Sequence, residues 1–172
     1  MKKSRITVVG SGYVGMSLSV LLSQHHDVVV YDIDSKRVKS INNKESTIDD
    51  PDIEKFFSDK PLSLIATTDK DEAYKNSEYV VIATPTDYDS VTNRFNTESV
   101  YKVVKDVLEV NKEASIVIKS TVPVGYTRSL QEEFDTDKVF FSPEFLREGS
   151  ALIDNLYPSR IIIGSKSEAG KD

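Results

Sequence analysis

The chain has 172 residues, 28 acidic against 22 basic, for a net charge of −6, and it contains no cysteine. That balance argues against sequence-independent binding to nucleic acid. The missing thiols exclude a disulfide framework, a cysteine nucleophile and a thiolate metal cluster within these residues, and they fit a reducing cytoplasm.

The first residues, MKKSRITVVG, are basic, then apolar, and meet Gly10 and Gly12 at once. They read as a strand over residues 6–9 rather than a signal peptide. No apolar run approaches the ~20 residues needed to span a bilayer. Val14, Leu18, Leu21 and Leu22 then recur at helical spacing, and His25 and His26 fall where that helix should end, a place that suits a cation. A second β-branched run, residues 28–31, ends at Asp32. The segment DDPDIEKFFSDKP, residues 49–61, reads as a connector with a short helix near residues 53–57.

Further strands are expected at residues 62–68, 79–83, 115–118 and 139–141, with a last one at 161–163. Tyr74 and Tyr79 flank a connection and should pack against the sheet. Val100, Val103, Val104, Val107 and Leu108 mark a helix, with Asn96 or Thr97 before Glu98 as its start. The runs are continuously apolar rather than alternating, as expected of strands buried on both faces. Strands alternating with helices argue for an α/β fold, a doubly wound, Rossmann-like, mostly parallel sheet with helices on both faces. The domain is expected over residues 1–165, with residues 166–172 a polar tail leading to a further domain.

The stretch VVGSGYVGMS places Gly10, Gly12 and Gly15 at G-x-G-x-x-G spacing between a strand and a helix, and a second strand ends in an acid about twenty residues on. Gly10 would let the chain turn tightly, Gly12 would let a pyrophosphate approach the backbone, and Gly15 would let the helix pack close. The helix N-terminus offers unpaired N–H groups to phosphate. Asp32 would accept from the adenosine ribose and repel a 2′-phosphate, which favours NAD over NADP. Arg37, nearby, is the kind of residue that holds a 2′-phosphate, so NADP stays open. The remaining alternative is a glycine-rich turn that binds FAD, a nucleotide or nothing.

Three later strand ends are polar and carry a proline: ATPTDY, KSTVPVG and SPEFLREG. Ligands of open parallel sheets bind outside such ends. Thr84 and Thr86 could line the path of a nicotinamide ribose, and Thr121 could position a water or a carboxylate. Glu144 and Glu148 would share a face if their loop turned helically, and either could act as acid or base. The plainer readings are turn residues for the threonines and a solvated face for the glutamates.

Taken together, GSGYVGMSLSVLLS, VIATPTDYDS, KSTVPVG and FSPEFLREGSALIDNLYPSRIIIG resemble the nucleotide-sugar dehydrogenases, in particular the branch that oxidises UDP-glucose, over about residues 6–164. The resemblance implies oxidation of a sugar C6 alcohol to a carboxylate, with two hydrides passed in turn to two NAD. It implies that Gly10, Gly12, Tyr13, Val14 and Gly15 cradle NAD, with Asp32 and Arg37 at the adenosine and Thr84 and Pro85 towards the nicotinamide. Thr121 and Glu148 would hold the catalytic water and the nicotinamide end, and Glu144 would assist near the reacting carbon. Glu144, Phe145, Leu146, Arg147 and Glu148 would contact the UDP-sugar. The neighbouring branches act on UDP-N-acetylmannosamine or GDP-mannose. The family's catalytic cysteine, lysine and asparagine come from segments this chain does not contain. It is therefore expected to bind NAD without turnover, as a possible monomer from a homodimeric enzyme. The competing class is a stand-alone dinucleotide sensor.

Overall fold

A computed structural model describes residues 2–90 and 94–164. Among these residues six parallel strands form one sheet: β1 (Arg5–Val9), β2 (Asp27–Tyr31), β3 (Leu64–Thr67), β4 (Tyr79–Ile82), β7 (Ser115–Ile118) and β8 (Val139–Phe141). A separate antiparallel pair, β5 (Tyr88–Asp89) and β6 (Arg94–Phe95), is numbered between them and is joined by a 5.2 Å edge-on contact of Tyr88 and Phe95. The sheet order is β3-β2-β1-β4-β7-β8. The chain thus winds outward from β1 in one direction and, after crossing over, outward from β4 in the other. The carboxyl ends of β1 and β4 flank the switch point, where an open sheet leaves a crevice.

The described residues contain seven helices: α1 (Tyr13–Leu22), α2 (Ser35–Asn42), α3 (Pro51–Asp59), α4 (Lys70–Tyr74), α5 (Glu98–Val110), α6 (Tyr126–Glu133) and α7 (Ala151–Leu156). The period-2 rule explains the continuous apolar strands. Ile6, Val8, Val28 and Val81 turn to one face, with Val30 joining Met16 and Val20 of α1 there. Val9, Val29, Val80, Ile82, Ile116 and Ile118 turn to the other, against Val100, Val103 and Val107 of α5 and Leu130 of α6. Each such buried side chain stabilises the fold by roughly 1.5–3 kcal/mol; Thr7, the fully buried polar residue of β1, is satisfied by the Ala73 carbonyl and Ser77 Oγ.

Tyr74 is fully buried against the sheet, its ring 5.6 Å from that of Tyr31, while Tyr79 opens β4 and is 39% exposed. Burial drives the Tyr74 hydroxyl to a much higher pKa, so it stays a neutral phenol. The strand expected at residues 161–163 does not form. Ile161, Ile162 and Ile163 are exposed, and the segment meets the sheet only through a single antiparallel bridge between Gly164 and Phe141. His26 lies past the end of α1, where its Nδ1 accepts the Ser4 amide at 3.2 Å. No helix among the described residues is long and apolar enough to cross a membrane.

A buried carboxylate ties distant elements together. Asp50 is 1% exposed. One of its oxygens accepts from Asp52 N at the start of α3, and the other from Leu152 N in the first turn of α7. Two helices therefore share one capping carboxylate, with Asp50 and Leu152 102 positions apart.

Candidate active site

The turn after β1 is built as its glycines require. Gly10 sits at φ +94°, in the left-handed region, and a Cβ there would lie 2.7 Å from the Ala83 carbonyl oxygen. A Cβ on Gly15 would fall 1.9 Å from the Gly10 carbonyl oxygen, so the first turn of α1 packs directly on the loop. Gly12 differs: a Cβ there would meet nothing within 4 Å. Protein packing does not demand glycine at that position, whereas a phosphate lying over the backbone does. Gly12 also caps α1 with no side chain, leaving the first N–H groups of the helix facing the crevice.

Two clefts meet here, each of about 520 Å³. One runs from Gly10 and Gly12 past Tyr31, Asp32 and Arg37 to Ser99 and Lys102. The other runs from Gly12, Tyr13 and Val14 past Thr86 and Thr121 to Glu144, Leu146 and Glu148. They share Gly12, Ala83, Thr84 and Pro85, so they form one groove across the carboxyl ends of the strands. A dinucleotide fits this shape: a room at each end and a glycine waist between. A larger surface groove, about 1150 Å³, lies between α5 and α6. It borders neither the glycine turn nor any of the expected site residues.

Asp32 is 9% exposed and stands at the end of β2. Its Oδ2 accepts from Ser11 N at 2.9 Å and Ser11 Oγ at 2.5 Å, and its Oδ1 from Asp34 N at 2.9 Å. At the waist, Ser120 Oγ donates to the Thr84 carbonyl at 2.7 Å and Ser99 Oγ donates to the Pro85 carbonyl at 2.9 Å. Thr84 Oγ1 and Ser99 Oγ lie 3.1 Å apart. These contacts lock the β4 turn to the β7 turn and to the start of α5. Asn96 Oδ1 accepts from Glu98 N at 3.0 Å and so begins α5 as the sequence suggested.

Glu144 and Glu148 do line one cleft, but not as neighbours on a helix. Residues 142–147 have no helical structure, and Pro143 carries the chain across the mouth of the groove. Lys119, a residue the motif analysis did not single out, places its Nζ 3.1 Å from Glu144 Oε2, with both side chains largely buried. Oε2 is nonetheless buried with no hydrogen-bond partner among the described residues. The pair is held by charge, and Oε2 keeps its capacity to accept. The Oε1 atom accepts from the Phe145 amide at 3.0 Å.

Phe145 and Arg147 point elsewhere. Phe145 is 62% exposed, with the Arg160 guanidinium 5.8 Å from its ring centre. Arg147 grips Asp154 of α7 through Nε at 3.1 Å and Nη2 at 2.8 Å, and its amide donates to the same carboxylate at 2.9 Å. That guanidinium holds the Asp154 carboxyl below the usual carboxylate range. The arginine therefore shapes the loop from behind instead of lining the groove.

The family model for the UDP-glucose/GDP-mannose dehydrogenases, NAD binding domain, matches residues 4–172. The chain belongs to this family. As its NAD-binding domain, it is 53% identical over 161 residues to a UDP-glucose 6-dehydrogenase of Streptococcus pneumoniae, covering 94% of this chain and 41% of that protein. It is 51% identical over 169 residues to a UDP-glucose 6-dehydrogenase of Campylobacter jejuni subsp. jejuni, covering 97% of this chain and 43% of that one. Among solved structures, a UDP-glucose dehydrogenase from Pyrobaculum islandicum superposes with a TM-score of 0.82 at 30% identity, covering 99% of this chain and 42% of its own. The GDP-mannose dehydrogenase of Pseudomonas aeruginosa superposes with a TM-score of 0.83 at 26% identity, covering 97% of this chain and 42% of its own. The chain thus spans about two-fifths of the curated relatives it matches. Membership makes NAD the cofactor of this domain, and the groove accommodates it.

Proposed function

We propose that these residues form the cofactor side of a dehydrogenase that oxidises the C6 alcohol of UDP-glucose to UDP-glucuronate. The observation carrying this reading is the shared groove, in which a glycine waist open to phosphate leads directly to Thr121, Glu144 and Glu148. When bound there, NAD would supply the hydride acceptor for each of two successive oxidations. Gly12, Tyr13 and Val14 would hold the pyrophosphate against the start of α1, with Asp32 on the adenosine ribose and Pro85 and Thr84 along the waist. Thr121 and Glu148 would hold a water near the nicotinamide end. Glu144, steadied by Lys119, would accept a hydrogen bond from that water or from the sugar hydroxyl. The backbone of residues 144–148 would meet the sugar nucleotide. UDP-glucose is preferred over GDP-mannose because identity to UDP-glucose 6-dehydrogenases reaches 51–53%, against 26% to the GDP-mannose enzyme.

The chain has no cysteine. A thiolate able to capture the intermediate aldehyde therefore has to come from outside these residues. Calorimetry should show NAD binding to the purified 172-residue chain. Absorbance at the NADH band should show no steady rise on adding UDP-glucose. Absence of NAD binding would overturn the cofactor reading, and sustained NADH formation would overturn the division of labour.

A further inference from the structure

Ser11 lies between two of the motif glycines and is fully buried. It joins three parts of the cofactor end. Its N–H and Oγ both donate to Asp32 Oδ2, and its carbonyl accepts from Thr47 Oγ1 at 2.6 Å. A carboxylate offers about four acceptor positions. Ser11 fills both on Oδ2 and Asp34 N takes one on Oδ1, which leaves a single position on Oδ1 for a ligand. The same cleft contains Arg37 and Lys102, and neither has a hydrogen-bond or ion-pair partner among the described residues.

Two unpaired cations beside the ribose pocket are what a 2′-phosphate needs. Asp32 held in place keeps its negative charge facing the 2′ position; with the Ser11 hydroxyl removed, the two backbone N–H bonds alone would hold it there less firmly. We propose that Ser11 is the specificity-determining residue of this site. Its hydroxyl completes, with the Ser11 and Asp34 amides, the set that pins Asp32 in one rotamer, so the pocket accepts one ribose hydroxyl and rejects a 2′-phosphate despite Arg37 and Lys102. This rests on the NAD-binding reading alone and is independent of which sugar is oxidised.

The test is calorimetric titration of NAD and NADP into the chain and its Ser11→Ala and Thr47→Val variants. The wild type should prefer NAD. Losing one hydrogen bond to a charged group should narrow the preference about tenfold in Ser11→Ala. Thr47→Val removes the bond to the Ser11 carbonyl but leaves the Asp32 contact, so its preference should match the wild type. A general loosening of the turn would instead move both variants alike, and that result overturns the proposal. So does an unchanged preference in Ser11→Ala. If circular dichroism shows that Ser11→Ala does not fold, Ser11→Cys decides, because its weak S–H donor should also narrow the preference. A wild type that binds neither dinucleotide overturns the cofactor reading and this proposal with it.

Discussion

Replacing Gly12 with alanine should separate stability from cofactor binding. Gly12 has φ −78° and ψ −168°, a conformation open to any residue, and its added Cβ would meet no protein atom within 4 Å. Restricting the unfolded chain favours the variant by ~0.4–1 kcal/mol, and losing glycine's advantage at a helix cap opposes that by a similar amount. The net change should stay within about 1 kcal/mol, or roughly 2–4 °C in Tm for a chain of this size. Gly15→Ala is the matched contrast. Its Cβ would fall 1.9 Å from a backbone oxygen, so α1 must shift against the turn. Overpacking of this kind costs ~1–3 kcal/mol or more, about 2–12 °C by the same scaling. Thermal unfolding by circular dichroism measures both variants, and calorimetry measures NAD. The expected outcome for Gly12→Ala is a near-wild-type melt with NAD affinity down at least about tenfold, since a methyl would stand where the phosphate approaches. A folded Gly12→Ala that binds NAD like the wild type would show that the pyrophosphate does not cross this residue.

Asp32→Ala should weaken NAD binding by about 1–3 kcal/mol. It should also lower Tm, because Ser11 and Asp34 lose a buried acceptor; a variant with unaltered affinity would place Asp32 away from the ribose. Asp50→Ala removes the shared cap of α3 and α7 and should cost about 1–4 kcal/mol, twice the usual worth of one cap, as read from urea unfolding. The Arg147–Asp154 clamp has a defined pH window. Because Asp154 titrates below its unfolded value, the clamp's contribution is complete above the ordinary aspartate range and is lost as pH falls through the lowered folded value. Amide shifts of residues 145–150 should therefore hold steady from neutrality through the ordinary range and move only at lower pH. Asp154→Asn should abolish that transition.

The parallel sheet was legible because strands buried on both faces cannot hide their apolar runs, and the dinucleotide turn because backbone geometry dictates its glycines. The last isoleucine run misled for the same reason: β-branched residues suit a strand, but forming one needs a partner edge in register, which residues 161–163 do not reach. Helix α2 escaped notice because only Ile41 along it is buried, so it carries no apolar stripe. Ser11, Lys119, Ser99 and Ser120 were invisible for a different reason. Each acts on a partner 14 or more positions away, and a small polar residue carries no periodic signal of such a contact. The one available clue was position, since Ser11 lies inside the glycine motif and Lys119 and Ser120 adjoin Thr121. Arg147 shows the converse, a residue whose type suggested ligand contact but whose charge is spent on a neighbour seven positions away.

The docking of α7 has a mechanical consequence. Asn155 Nδ2 reaches Ser17 Oγ on α1 at 2.8 Å, Leu152 is fully buried beside Met16 and Val20, and Asp50 fastens the first turn. The helix that follows the glycine turn and the helix that anchors the glutamate loop are thus two sides of one stiff beam. The spacing from the glycine turn to Glu144 and Glu148 is set by interlocked side chains, like a jig that keeps two tools at a constant offset. Any displacement of one tool has to carry the other with it.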